Sequence, residues 1–79
     1  NPETTIRFQL PSAEQFKITV YNEQGQAIRT LADQQLGPGT FDITWDGTDD
    51  SGRSVASGTY LYLIEGPNLR THKKVTLLK

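Results

Sequence analysis

Asp46, Asp49 and Asp50 form the one carboxylate cluster in the sequence. Hard oxygen donors at close spacing on a glycine-bearing loop are what a Ca²⁺ ion requires. Their spacing departs from the EF-hand loop, because Gly47 stands where a spacer should precede the second ligand. The same aspartates suit Asx turns, in which the side chain accepts hydrogen bonds from nearby backbone amides. Turn chemistry is the first expectation here, with a Ca²⁺ site at Asp46, Asp49 and Asp50 as the alternative and no other cofactor. Nucleophilic catalysis would need a nucleophile, a base in reach and a group that orients the base. The single histidine, His72, adjoins Lys73 and Lys74, cations that disfavour imidazolium without orienting the ring. It reads as a solvent-facing strand residue. Glycoside hydrolysis by paired carboxylates would need a cleft with rigid walls. Gly37-Pro38-Gly39 lacks the following helix that a phosphate cradle uses. The chain therefore reads as no enzyme.

Trp45, Tyr60 and Tyr62 could stack against a sugar ring, yet each lies on an alternating apolar stretch, and Trp45 shares its face with Phe41 and Ile43. Core packing is the better reading. Tyr60, two residues after Gly58, also suits a tyrosine corner, whose hydroxyl bonds back to the preceding loop. Eight basic and nine acidic residues leave a net charge of -1, which argues against a nucleic-acid partner. The charge is uneven: the last fourteen residues hold Arg70, Lys73, Lys74 and Lys79 and no acid. Lysines on a strand edge oppose edge-to-edge pairing; a basic terminal strand that something recognises is the other reading. No apolar run approaches the length of a transmembrane helix. The absence of Cys removes disulfides, thiolate nucleophiles and zinc-thiolate sites together.

These residues must be positioned by strands. At 79 residues the chain has room for one core. Ile6, Phe8 and Leu10 alternate over about 4–10, and Pro11 ends the run. Phe16, Ile18 and Val20 repeat the spacing over 15–22, before the turn residues Asn22-Glu23-Gln24-Gly25. Ala27, Ile28 and Leu31 are ambiguous between strand and one helical turn, and are taken as a third strand. After Gly37-Pro38-Gly39, a fourth strand carries Phe41, Ile43 and Trp45. Tyr60, Tyr62 and Ile64 oppose Leu61 and Leu63, a pattern that predicts a central strand covered on both faces. A last strand spans 69–78, with Val75 and Leu77 on one face and Leu78 on the other. No helix longer than a turn is expected.

Six or seven short strands predict an all-β fold, a small immunoglobulin-like or fibronectin-III-like antiparallel β-sandwich, with a small barrel as the alternative. The expected sheets are strands one, two and four against strands three, five and six. The expected core is Phe8, Ile18, Val20, Phe41, Ile43, Trp45, Tyr60 and Tyr62.

The ordered series of motifs resembles a known family. Asn1-Pro2-Glu3-Thr4-Thr5-Ile6-Arg7-Phe8-Gln9-Leu10-Pro11 is similar to the "NP..TTI.F.LP" opening of C-terminal sorting domains of the type IX secretion system in Bacteroidota. Val20-Tyr21-Asn22-Glu23-Gln24-Gly25 and Ile28-Arg29-Thr30-Leu31 resemble its "VYd..G" and "vrtL" segments. Gly39 with Trp45-Asp46-Gly47, Asp50 and Gly52, then Ala56-Ser57-Gly58-Thr59-Tyr60, resemble "G....WDG.D..G" and "aSG.Y". Lys74-Val75-Thr76-Leu77-Leu78-Lys79 resembles the "K.vLLK" ending. The immunoglobulin-like domain of the flagellar hook-capping protein shares the same block.

The sorting resemblance implies that residues 1–79 are a single C-terminal domain of a longer secreted protein, often a glycosidase or peptidase. It implies a non-catalytic module, exported through the periplasm and held extracellularly or at the cell surface. Its partners would be the outer-membrane type IX machinery and the parent's upstream domains, with Lys74, Val75, Leu77, Leu78 and Lys79 as recognition residues. Two alternatives stand beside it. One is an accessory module that binds polysaccharide, and the other is a structural or assembly domain like that of the hook-capping protein.

Overall fold

The computed structural model describes residues 3–67 and 69–78, and no helix occurs among them. Strand β1 runs Thr4–Leu10, β2 Glu14–Tyr21, β3 Ala27–Leu36, β4 Gly39–Trp45, β5 Gly58–Gly66 and β6 Leu69–Leu77. Every pairing is antiparallel. β1 pairs with β4, and a second sheet has the order β3-β2-β5-β6. This is the all-β sandwich that the alternation predicts.

Sheet membership differs from the expectation at one strand. β2 lies in the larger sheet between β3 and β5, not beside β1 and β4. The cause is the turn that follows it. Asn22 N–H donates to the Gln26 carbonyl and Gly25 N–H to the Asn22 carbonyl, while Asn22 Oδ1 accepts from Gln24 N–H and Gln26 N–H. Gly25 takes a φ of 83°, a conformation that costs glycine little. A connection this tight makes a hairpin, so β2 and β3 must be hydrogen-bonded neighbours in one sheet. The three residues 11–13, by contrast, cross between sheets. Extended, they reach about 10 Å, which is the spacing of packed sheets.

The register of β3 explains its ambiguous sequence. Ile18 faces Ala32 but Thr19 faces Thr30; Val20 faces Arg29 but Tyr21 faces Ala27. Leu31 and Ile28 are thus the extra residues of two bulges, and each bulge advances the inward position by one. Two apolar residues three apart therefore both pack on the core without any helical turn.

One core lies between the sheets. Ile6, Phe8, Leu10 and Trp45 come from the small sheet, and Phe16, Ile18, Val20, Tyr60, Tyr62, Ile64 and Leu77 from the large one. Six of the eight expected core residues are there. Phe41 and Ile43 are only half-buried: their register partners Phe8 and Ile6 on β1 take the enclosed places, and the apolar face of β4 is partly uncovered. Ile6, Leu10, Phe16, Ile64 and Leu77 take the places that the shorter list omitted. Glu14 is buried at the start of β2, beside the tight approach of Gly66. A Cβ on Gly66 would stand 2.6 Å from the Gln15 carbonyl oxygen, so only glycine fits there without a backbone shift.

β5 is central, as predicted, but it is covered on one face alone. Leu61 and Leu63 are half-buried on the outer face of the sheet. Trp45 is the largest of the fully buried side chains. Tyr60 and Tyr62 meet its ring edge-on at centroid distances of 5.1 and 6.1 Å. Replacing Trp45 by Ala should cost about 3 to 5 kcal/mol in urea unfolding. A loss below about 1 kcal/mol would show that the indole is no part of the core.

Candidate functional site

The aspartate loop, 46–55, folds on its own backbone. Asp46 Oδ1 accepts from the Thr48 hydroxyl at 2.6 Å and the Thr48 amide at 3.2 Å. Asp49 Oδ1 accepts from the amides of Ser51 and Arg53, both at 3.0 Å, and from the Ser51 hydroxyl at 2.8 Å. Asp50 reaches another element: its Oδ1 accepts from Thr30 N–H, and its own N–H donates to the Ile28 carbonyl, both at 3.0 Å. Arg29 on β3 donates to the Thr48 hydroxyl at 2.7 Å and to the Asp49 carbonyl at 2.9 Å. The loop thus caps the free edge of β3 and occupies backbone groups that could otherwise recruit a foreign strand.

The three carboxylates turn to different donors, and no group of three His, Cys, Asp or Glu among the described residues could hold a metal ion. The Oδ1 atoms of Asp46 and Asp49 serve as turn acceptors and that of Asp50 as an edge acceptor, so the turn reading accounts for the placement of these aspartates. The hydrogen bond from Thr48 holds the Asp46 carboxyl below its ordinary range, and the one from Ser51 does the same for Asp49.

The loop is anchored from beneath by two aromatics. Trp45 Nε1 donates to the Thr48 carbonyl at 2.8 Å. The Tyr60 hydroxyl donates to the Ala56 carbonyl at 2.6 Å, which is the tyrosine corner that its position suggested. The Tyr62 hydroxyl is buried with no hydrogen bond of good geometry; burial pushes it up to about 12, and a weaker contact with the Thr4 side chain opposes that shift in part. Trp45, Tyr60 and Tyr62 are at most 8% exposed, so none can stack on a sugar, and the polysaccharide-binding alternative loses the three residues expected to carry it.

The terminal strand is built into the larger sheet. Val75 and Leu77 face inward, with Leu77 1% exposed, and all nine residues of β6 pair with β5. Lys74 and Leu78 are exposed, and Lys79 lies outside the described residues. His72 is exposed on the outer face, as its sequence context suggested.

The outcome is an immunoglobulin-like scaffold whose loop chemistry is used to close the fold. Comparison with known proteins carries this further. The family described as the FlgD Ig-like domain matches residues 2–68. The chain belongs to that family. It is similar to the basal-body rod modification protein FlgD of Salmonella typhimurium, 32% identical over 63 residues, which are 80% of this chain and 27% of that protein. FlgD of Salmonella typhi gives the same figures. The chain thus spans about a quarter of the length of these relatives. The crystal structure of FlgD from P. aeruginosa superposes with a TM-score of 0.76 at 21% identity, covering 95% of this chain and 58% of that one.

These findings correct the functional expectation. Membership of the FlgD Ig-like domain family replaces the type IX sorting domain, and with it fall the outer-membrane type IX machinery as partner, the cell-surface attachment route and the Bacteroidota source. The relatives' names also give no support to an upstream hydrolase. The recognition role expected for Lys74, Val75, Leu77, Leu78 and Lys79 rested on that sorting reading. The two inward residues, Val75 and Leu77, owe their apolar character to the core.

Two measurements check the site. Replacing Tyr60 by Phe should cost about 1 kcal/mol, whereas Tyr62 to Phe should cost clearly less, since only the first hydroxyl has a hydrogen bond of good geometry to lose. Equal losses in thermal unfolding would contradict this. The depressed carboxyls of Asp46 and Asp49 stabilise the fold above the unfolded-state value of about 3.9, and that stability is lost as pH falls through their lower folded values. The melting temperature should drop on acidification below about pH 4, and less steeply in an Asp46→Asn/Asp49→Asn variant. An unchanged acid limb in that variant would refute the role given to the two carboxylates.

Proposed function

We propose that this chain is a non-catalytic assembly domain of a longer FlgD-type protein acting at the flagellar basal-body rod and hook. The observation that carries the reading is the family match over residues 2–68, which spans every strand but β6. The geometry supports it. The polar side chains best placed for chemistry are engaged in turn, edge and corner hydrogen bonds, and the large aromatics are in the core. What such a domain offers a partner is a rigid pair of sheet faces. In-frame removal of residues 4–77 from the parent gene should abolish swimming motility and leave hooks incomplete in electron micrographs. Normal hooks and full motility, with the shortened protein present at the parent's level, would overturn the proposal.

A further inference from the structure

The two outer faces of the sandwich differ in whether they satisfy themselves. On β1 and β4 the outward side chains answer each other across the register. Arg7 Nε donates to Asp42 at 2.9 Å, the Thr5 and Thr44 hydroxyls are 2.9 Å apart, and Gln9 meets Thr40 at 3.4 Å. That face is a closed polar ladder with no charge left over.

The outer face of β5 and β6 is built otherwise. Lys74 stands opposite Leu61, His72 opposite Leu63 and Arg70 opposite Glu65. A leucine cannot answer a charge, so Lys74 has an apolar residue opposite it where Arg7 on the other sheet has Asp42, and His72 likewise faces a leucine. Across β5 the next strand adds Tyr21 beside Leu61 and Thr19 beside Leu63. The result is a groove of about 690 Å³ with an apolar floor at Leu61 and Leu63 and a basic wall at Arg70 and Lys74. The β2–β3 turn closes one end, where Glu23 is the only acid of the lining. The chain as a whole has a net charge of -1, so this basic stripe runs against the protein's overall balance.

We infer that this groove docks an extended protein segment in which carboxylates alternate with apolar side chains. Alternation is required because strand side chains repeat every two residues, so a segment lying along β6 meets Arg70, His72 and Lys74 at about 7 Å intervals. Its apolar residues would cover Leu61 and Leu63, and its carboxylates would meet Arg70 and Lys74 as charge-assisted hydrogen-bond acceptors. The inference deepens the assembly reading, since it names the surface through which such a domain would hold a partner.

The probe is a fluorescein-labelled eight-residue peptide of alternating Glu and Leu, titrated with the 79-residue chain at low salt and followed by fluorescence anisotropy. The Glu/Leu peptide should bind, and binding should weaken at least tenfold for Arg70→Glu/Lys74→Glu. It should weaken again when the probe's leucines are replaced by serine. Lys73→Glu is the control, because Lys73 is exposed on the opposite side of β6, where it lines a second recess with Arg7 and Thr71 that shares only His72 with the groove. It should leave binding unchanged. Circular dichroism melts establish that each variant is folded. No binding by the Glu/Leu peptide, or an equal loss with Lys73→Glu, would overturn the groove. Neither result would bear on motility after removal of residues 4–77, so the docking surface and the assembly reading fail separately.

Discussion

The indole of Trp45 is the joint on which the domain depends. It ends β4, fills the space between the sheets against Tyr60 and Tyr62, and uses its one polar atom to hold the Thr48 carbonyl. Burying an indole is favourable by area, but its N–H must find an acceptor, and the Thr48 carbonyl answers that need. A hydrophobic requirement in the core thereby dictates the path of the loop that follows. The loop, so placed, brings Asp50 to the edge of β3 and Thr48 and Asp49 to Arg29.

This chain of constraints explains why the motif series is a poor guide to role. Trp45-Asp46-Gly47 with Asp50 and Gly52 encodes a core anchor, Asx turns, positive-φ glycines and an edge cap. The Ser57-Gly58-Thr59-Tyr60 stretch encodes the tyrosine corner. Val75 and Leu77 encode one face of the last strand. Each meets a demand of the sandwich itself, and any domain built this way would need the same residues, whether it sorts cargo or caps a hook. Only comparison with known proteins over most of the chain separated the two, in favour of the FlgD Ig-like domain family.

Difference between domains of this kind must therefore lie on surfaces the fold does not dictate. The ladder of Arg7 with Asp42 and Thr5 with Thr44 makes one face chemically quiet. The half-buried Leu61 and Leu63 on the other face have no structural task comparable to that of Tyr60 and Tyr62 one residue away. An apolar pair flanked by cations is costly to leave in water, and that makes it the informative part of the exterior.

Period-two alternation by itself determined five of the six strands, the inward face of all of them but β5, and the all-β class, because burial on one face writes itself directly into residue order. The tyrosine corner and the turn role of the aspartates were equally legible, being local in sequence. Which sheet holds β2 was decided in three dimensions, by the tightness of the turn at Asn22 set against the reach of residues 11–13. The bulges that bring both Ile28 and Leu31 inward belong to pairing with β2, which no window of sequence contains. The coverage of Leu61 and Leu63 was likewise beyond the sequence: an apolar residue records that water is disfavoured there, and only the packed sheets show which face has been left without a cover.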